Sequence, residues 1–221
     1  MKHCAVVLTV TLAAAMAPHA ESGPPPTPSV VPTTWELDFE YQTPRMITIE
    51  LPGKDKPQAY WYMLYKVTNG SERDRIFVPD IVLYTDTGQI LWAGKGVSGA
   101  VFEAIQKLHN NPLLVDVAAV TGRLLQGSDN AKESAAIWPD FDPEARGFDI
   151  FVVGLSGERA QLALPAPVKV TVREENGQKV EVVKTELELA KTLQLTYKLA
   201  GEAAARAGAK PELLGKKWVM R

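Results

Sequence analysis

The sequence predicts a mainly β chain, an antiparallel β-sandwich with one short helix inserted at about residues 98–109. Three observations carry this. Apolar and polar residues alternate in many short runs, the pattern of half-buried strands. Turn-forming residues break those runs at close intervals. The period changes to that of a helix clearly in one place, after Ser98.

The elements follow in order. "TWELDFE" sets Trp35, Leu37 and Phe39 against Glu36, Asp38 and Glu40, and "RMITIEL" repeats the theme after a short gap. "QAYWYMLYKVT" is the most apolar strand so far. Its odd positions, Ala59, Trp61, Met63, Tyr65 and Val67, stay apolar throughout and are expected to face the core. Its even face carries Tyr60, Tyr62 and Leu64 before turning polar. That face meets either another element of the fold or a partner. Asn69-Gly70 breaks the chain, and "IFVPDIVLYT" resumes it, with Pro79 marking a bulge or an edge because proline cannot donate to a ladder. Asp86-Thr87-Gly88 turns into "QILWAG". Val101, Ile105 and Leu108 then recur at helical spacing, with Ser98 as N-cap and Pro112 as stop. "LLVDVAAVTGRLLQ" and "AKESAAIW" read as a pair of strands, and Gly147 to Leu155, apolar on both faces, as a central one.

The last third holds a hairpin, "VKVTVREENGQKVEVV". A three-residue loop, Glu175 to Gly177, pairs Val172 with Val180 and Val170 with Val182. It also sets Arg173 against Lys179. Such a charge pair costs about 0.2–1 kcal/mol, whereas a buried valine is worth roughly 1.5–3 kcal/mol, so the valines decide the loop. "TLQLTYKLAG" continues as a strand, "EAAARAGAK" is ambiguous, "PELLG" suits one helical turn, and "KKWVMR" a terminal strand with Trp218 and Met220 inward.

Composition places the chain and excludes some chemistry. Lys2 and the apolar run Ala5 to Ala15, followed by small residues, have the plan of a secretory signal peptide over residues 1–20. Cleavage after Ala17, Ala20 or Ser22 fits. The proline-rich stretch 21–34 reads as an extended spacer, and 35–221 as a single β-sandwich domain. The expected location is periplasmic or secreted, with membrane contact confined to the transient signal peptide. The one cysteine, Cys4, lies inside that signal, so the mature chain has no thiol for a disulfide, a nucleophile or a zinc ligand. A formal charge of -2 argues against a nucleic-acid binder.

Few side chains are left for catalysis. His109 is the one histidine clear of the signal region, and at a helix end it suits the helix dipole better than a triad. "VGLSGE" lacks the second glycine of a nucleophile elbow. "AGKGVSGA" lacks phosphate-loop spacing, which makes Lys95 a solvated loop residue. Asp140, Asp142 and Glu144 alternate ahead of Gly147 in the manner of a calcium loop. Counted from Asp140, however, the glycine falls at the eighth position instead of the sixth, and Pro143 interrupts the spacing. Asp142-Pro143-Glu144 is read as a turn.

Two stretches, "YWYMLYKVTNGSERDRIFVPDIVLYTDTG" and "FDPEARGFDIFVVGLSGE", together resemble bacterial exported immunoglobulin-like β-sandwich proteins of unknown function. The resemblance implies a fold and carries no catalytic residues. The antibody-type cysteine-tryptophan-cysteine core is absent, and the helix insertion departs from a plain sandwich. The expected function is a non-enzymatic exported binding or assembly module of the cell envelope, with no cofactor. Its partner is another envelope protein or a glycan, met through Tyr60, Tyr62 and Leu64. The alternatives are a carbohydrate-binding module using exposed aromatics and a carboxylate-based hydrolase.

Overall fold

The computed structural model describes residues 24–173, 179–199, 208 and 210–221. The chain divides into two compact units, a larger one of Pro26–Gln161 with Glu188–Arg221, and a smaller one that includes Leu162–Leu187. The sequence, by contrast, points to one domain over 35–221.

The larger unit is built on two mainly antiparallel sheets. In the first, β1 (Asp38–Tyr41) and β2 (Arg45–Ile49) both pair with β3 (Gln58–Thr68). β9 (Lys132–Pro139) pairs with β3 in turn, and β7 (Leu114–Val115) joins β9 in parallel. In the second, β5 (Asp80–Thr85) lies between β6 (Ile90–Trp92) and β10 (Gly147–Val153). β12 (Lys179–Lys198) pairs with β10 and with β13 (Glu212–Met220). β4 (Arg75–Phe77) and β8 (Gly122–Leu124) make a separate two-stranded pair.

Alternation along β3 decides how these sheets pack. Trp61, Met63, Tyr65 and Val67 enter the main core as expected, where they join Leu83 of β5, Ile150 of β10 and Leu195 of β12. The even face of β3 builds a second buried cluster with α1 (Gly99–His109), whose Val101 and Ile105 are fully buried. A strand apolar on both faces thus separates two cores, and the helix covers the outer one. Asn110, in the left-handed region at φ 45°, ends α1 two residues before Pro112.

Several expectations need correction. Pro79 stands between β4 and β5, so the chain changes sheets there instead of bulging. The long strand expected from Leu113 to Gln126 is broken by a four-residue helical turn, α2 (Val117–Val120). The Asp116 carboxylate caps it, accepting from the Ala119 N–H at 2.8 Å, so a helical turn wins over a strand. A 3-10 turn follows at Ser128–Asn130. In "PELLG", read as a helical turn, residues 212–215 are strand: β13 pairs along β12, with a bulge at Thr196/Tyr197. Nor is the stretch 21–34 wholly a free spacer. The Ser29 N–H donates to Glu158 Oε1 at 2.8 Å, and the Ser29 carbonyl accepts from Lys191 Nζ at 2.8 Å.

β10 ends where it does because Gly154 adopts φ +92°, with the Val78 carbonyl oxygen only 2.7 Å from where a Cβ would stand. In the smaller unit, β11 (Arg159–Arg173) and β12 are neighbours in one sheet. The expected loop Glu175 to Gly177, the signal segment 1–20 and most of "EAAARAGAK" lie outside the described residues, while Val182, one of the valines the loop was expected to bury, is exposed.

Candidate functional site

A mainly apolar pocket with polar groups at its edge lies in the larger unit, between β6, the start of α1 and α2. Two backbone bonds position its first wall. The Ala93 N–H donates to the Ile81 carbonyl at 2.9 Å and the Gly94 N–H to the Ile137 carbonyl at 2.8 Å, which hold the segment after Trp92 against both β5 and β9. Phe102 of α1 and Val117 of α2 form the opposite wall, and Ala135–Ile137 of β9 line it further. The cavity measures about 320 Å³. Trp92 and Val117 are about half exposed, so the mouth is apolar and open to solvent. Lys95 Nζ sits 5.0 Å from the Trp92 ring centroid, a cation–π contact that orients the indole.

The polar groups at this cleft are few. Asp80 and Asp116 both line it, and the Asp116 carboxylate is engaged in capping α2. Burial pushes the Tyr65 hydroxyl up to about 12, partly offset by the Ser134 side chain beside it, so it stays protonated at neutral pH. An apolar cavity of this size with a tryptophan at its mouth suits a branched or aromatic side chain, or the face of a sugar ring.

The residues singled out from sequence fall elsewhere. Tyr60, Tyr62 and Leu64 are all buried beneath α1, against Val101 and Ile105. These side chains pack in a core, so the partner contact expected of them has no exposed face to use. An apolar strand face must be covered, and the inserted helix covers it. His109 closes α1 and pairs with one of them, its Nε2 lying 2.9 Å from the Tyr62 hydroxyl. Burial, and then the Arg45 charge, hold its imidazole below the usual histidine range.

The acidic run is engaged in shaping the chain. Asp140 Oδ1 accepts from Trp61 Nε1 at 3.1 Å and from the Phe141 N–H at 3.0 Å. Asp142 Oδ1 accepts from the Glu144 N–H at 2.9 Å, and the Asp142 carbonyl from the Ala145 N–H at 3.1 Å, which makes the turn. Among the described residues, no group of three or more His, Cys, Asp or Glu side chains is placed to hold a metal ion. No described helix is long and apolar enough to cross a membrane. Ser156 Oγ accepts from the Glu158 N–H, holding the bend before β11.

Sequence reasoning missed one cluster entirely. Lys191, 1 % exposed, places its Nζ 2.7 Å from Glu36 Oε1 and 3.2 Å from Glu158 Oε2. The ammonium also lies 5.3 Å from the Trp218 ring centroid. Burial opposes the charge on Lys191, but hydrogen bonds to the two glutamates outweigh it and raise its pKa. The Ser29 N–H is the main cause of a lowered Glu158 pKa, with Lys191 adding to it. Three segments far apart in the chain meet at this buried ammonium. A lysine between Ala190 and Thr192 carries no local signal of that.

No protein-family model matches this chain, and no curated protein or solved structure matches it significantly.

Proposed function

We propose that this chain is a non-enzymatic, exported binding module of the cell envelope. In this reading it is an immunoglobulin-like sandwich whose inserted helix helps form the binding cleft, and it takes an apolar side chain of a protein partner between Trp92, Phe102 and Val117. The observation that carries the proposal is the open cavity of about 320 Å³ with a half-exposed tryptophan at its mouth. Large aromatic groups in such pockets anchor interfaces at low entropic cost. Export rests on the N-terminal pattern of Lys2 and Ala5 to Ala15.

A glycan is the second reading. Trp92 favours it as well, since a sugar ring stacks on an indole while Asp80 accepts its hydroxyl protons. One experiment separates the two. A photo-crosslinking residue at Val117 is introduced into the exported chain, with and without Trp92→Ala, and the purified chain is tested on a glycan array. A single crosslinked protein lost with Trp92→Ala supports the protein partner. Array binding lost with the same variant supports the glycan. If neither signal depends on Trp92, the cleft is not the binding site. N-terminal sequencing of the exported chain checks cleavage near Ala17, Ala20 or Ser22.

A further inference from the structure

The smaller unit has an unusual surface. None of its described residues joins either buried cluster, and residues 183–187 are all exposed. A two-stranded ribbon is marginally stable by itself. Along Val183 to Leu187, β11 is the only described strand beside β12, because β10 and β13 pair with β12 only from Lys191 onward. Among the described residues no strand lies on the other side of this stretch, which leaves an edge that an incoming strand can pair with. The two edges of the ribbon differ. β11 carries Pro165, Pro167 and Lys169, which blunt an edge, whereas Val183 to Leu187 holds no proline.

Charge picks out the strand that fits. When a strand pairs with its own copy about a two-fold axis perpendicular to the sheet, the pairing is antiparallel and each side chain keeps its face. Each residue then meets either itself or one an even number of positions away. Centred on Thr185, Thr185 meets Thr185, Lys184 meets Glu186 twice, and Val183 meets Leu187 twice. Moving the centre to Lys184 or Glu186 sets like charges opposite each other, and moving it to Leu187 sets Glu186 against Glu188. Centring on Val183 leaves Lys184 and Glu186 without charge partners. Among these five centres, Thr185 alone pairs the charges with no like-charge contact.

We propose that Val183 to Leu187 is an interface with a second copy of this chain, paired as antiparallel strands about a two-fold axis at Thr185. The exposed Val183 and Leu187 would cover each other across the pair, and the mixed charges of Lys184 and Glu186 act as a self-complementary code. Five residues from each copy make a small interface, so the dimer is weak, with Kd of about 10–100 µM.

Sedimentation velocity on the full exported chain, from about 1 to about 300 µM, reads this directly. The wild type is expected to dimerise reversibly. Lys184→Glu alone sets carboxylate against carboxylate at both charged contacts, and Glu186→Lys alone sets ammonium against ammonium. Each weakens the dimer by about tenfold or more, since two contacts change sign at once. An equimolar mixture of the two single variants pairs opposite charges at both contacts and regains wild-type association. Both positions are exposed, so the variants fold, and circular dichroism confirms it. A wild type that stays monomeric, a dimer indifferent to the single changes, or a mixture no better than its components each overturns the proposal.

Discussion

Lys191→Met tests the buried ion cluster. Methionine nearly matches the lysine stem in volume, so little packing is lost and the charge is the main change. Its removal leaves Glu36 and Glu158 without their common counter-ion. Breaking a buried ion pair costs about 3–5 kcal/mol. The two carboxylates keep some solvent, at 22 % and 11 % side-chain exposure, which puts the expected cost near the low end, about 3 kcal/mol. Urea unfolding followed by tryptophan fluorescence is the assay. All five tryptophans, 35, 61, 92, 138 and 218, belong to the larger unit, so the signal reports the unit that holds the cluster. With a slope of roughly 2–3 kcal/mol per molar, the midpoint should fall by about 1–1.5 M. Replacing the whole cluster, with Glu36→Gln and Glu158→Gln added, should recover most of the loss, because no stranded charge remains. A cost below about 1 kcal/mol for Lys191→Met, or a triple variant no better than the single, would refute the claim that a desolvated charge network holds Ser29, Glu36 and Glu158 together.

Three further outcomes are expected. Glu158 has a lowered pKa, so its contribution to stability is full above the ordinary glutamate range and is lost as pH falls through the depressed value; melting temperatures taken between about pH 6 and pH 3 should drop more steeply for the wild type than for Glu158→Gln. Gly154→Ala combines a positive φ with a Cβ 2.7 Å from the Val78 carbonyl oxygen, and should destabilise the larger unit by about 3 kcal/mol in the same urea assay. Ile105→Ala opens a cavity between α1 and β3 and should cost about 3 kcal/mol, with Tyr60 and Tyr62 becoming more accessible to tyrosine-modifying reagents.

Much of the fold was legible in the sequence, and the reasons are local. The odd face of β3 could be assigned to the core because period-two alternation is a property of a strand by itself. The limits of α1 followed from apolar spacing and from Pro112, and the Asp86-Thr87-Gly88 turn from residues that favour turns. The misreadings fall on short runs. Four residues at Val117–Val120 and the five of "PELLG" are too few for a period to distinguish helix from strand, so a cap in one case and a neighbouring strand in the other decided them. The apolar cleft was not legible at all: Trp92, Phe102 and Val117 lie on three separate elements and converge only when β6, α1 and α2 pack.

By itself, then, the sequence determined the β class, the strand faces and the helix, because each follows from residue type and spacing along a short stretch. Tertiary structure alone decided that Tyr60, Tyr62 and Leu64 lie under α1 and not at the surface. An apolar face requires a cover, but its own residues do not say which element supplies one. Tertiary structure also decided that Lys191 is buried. A lysine is ordinarily solvated, and only the arrival of Glu36, Glu158 and the Ser29 carbonyl from distant parts of the chain offsets the cost of burying it.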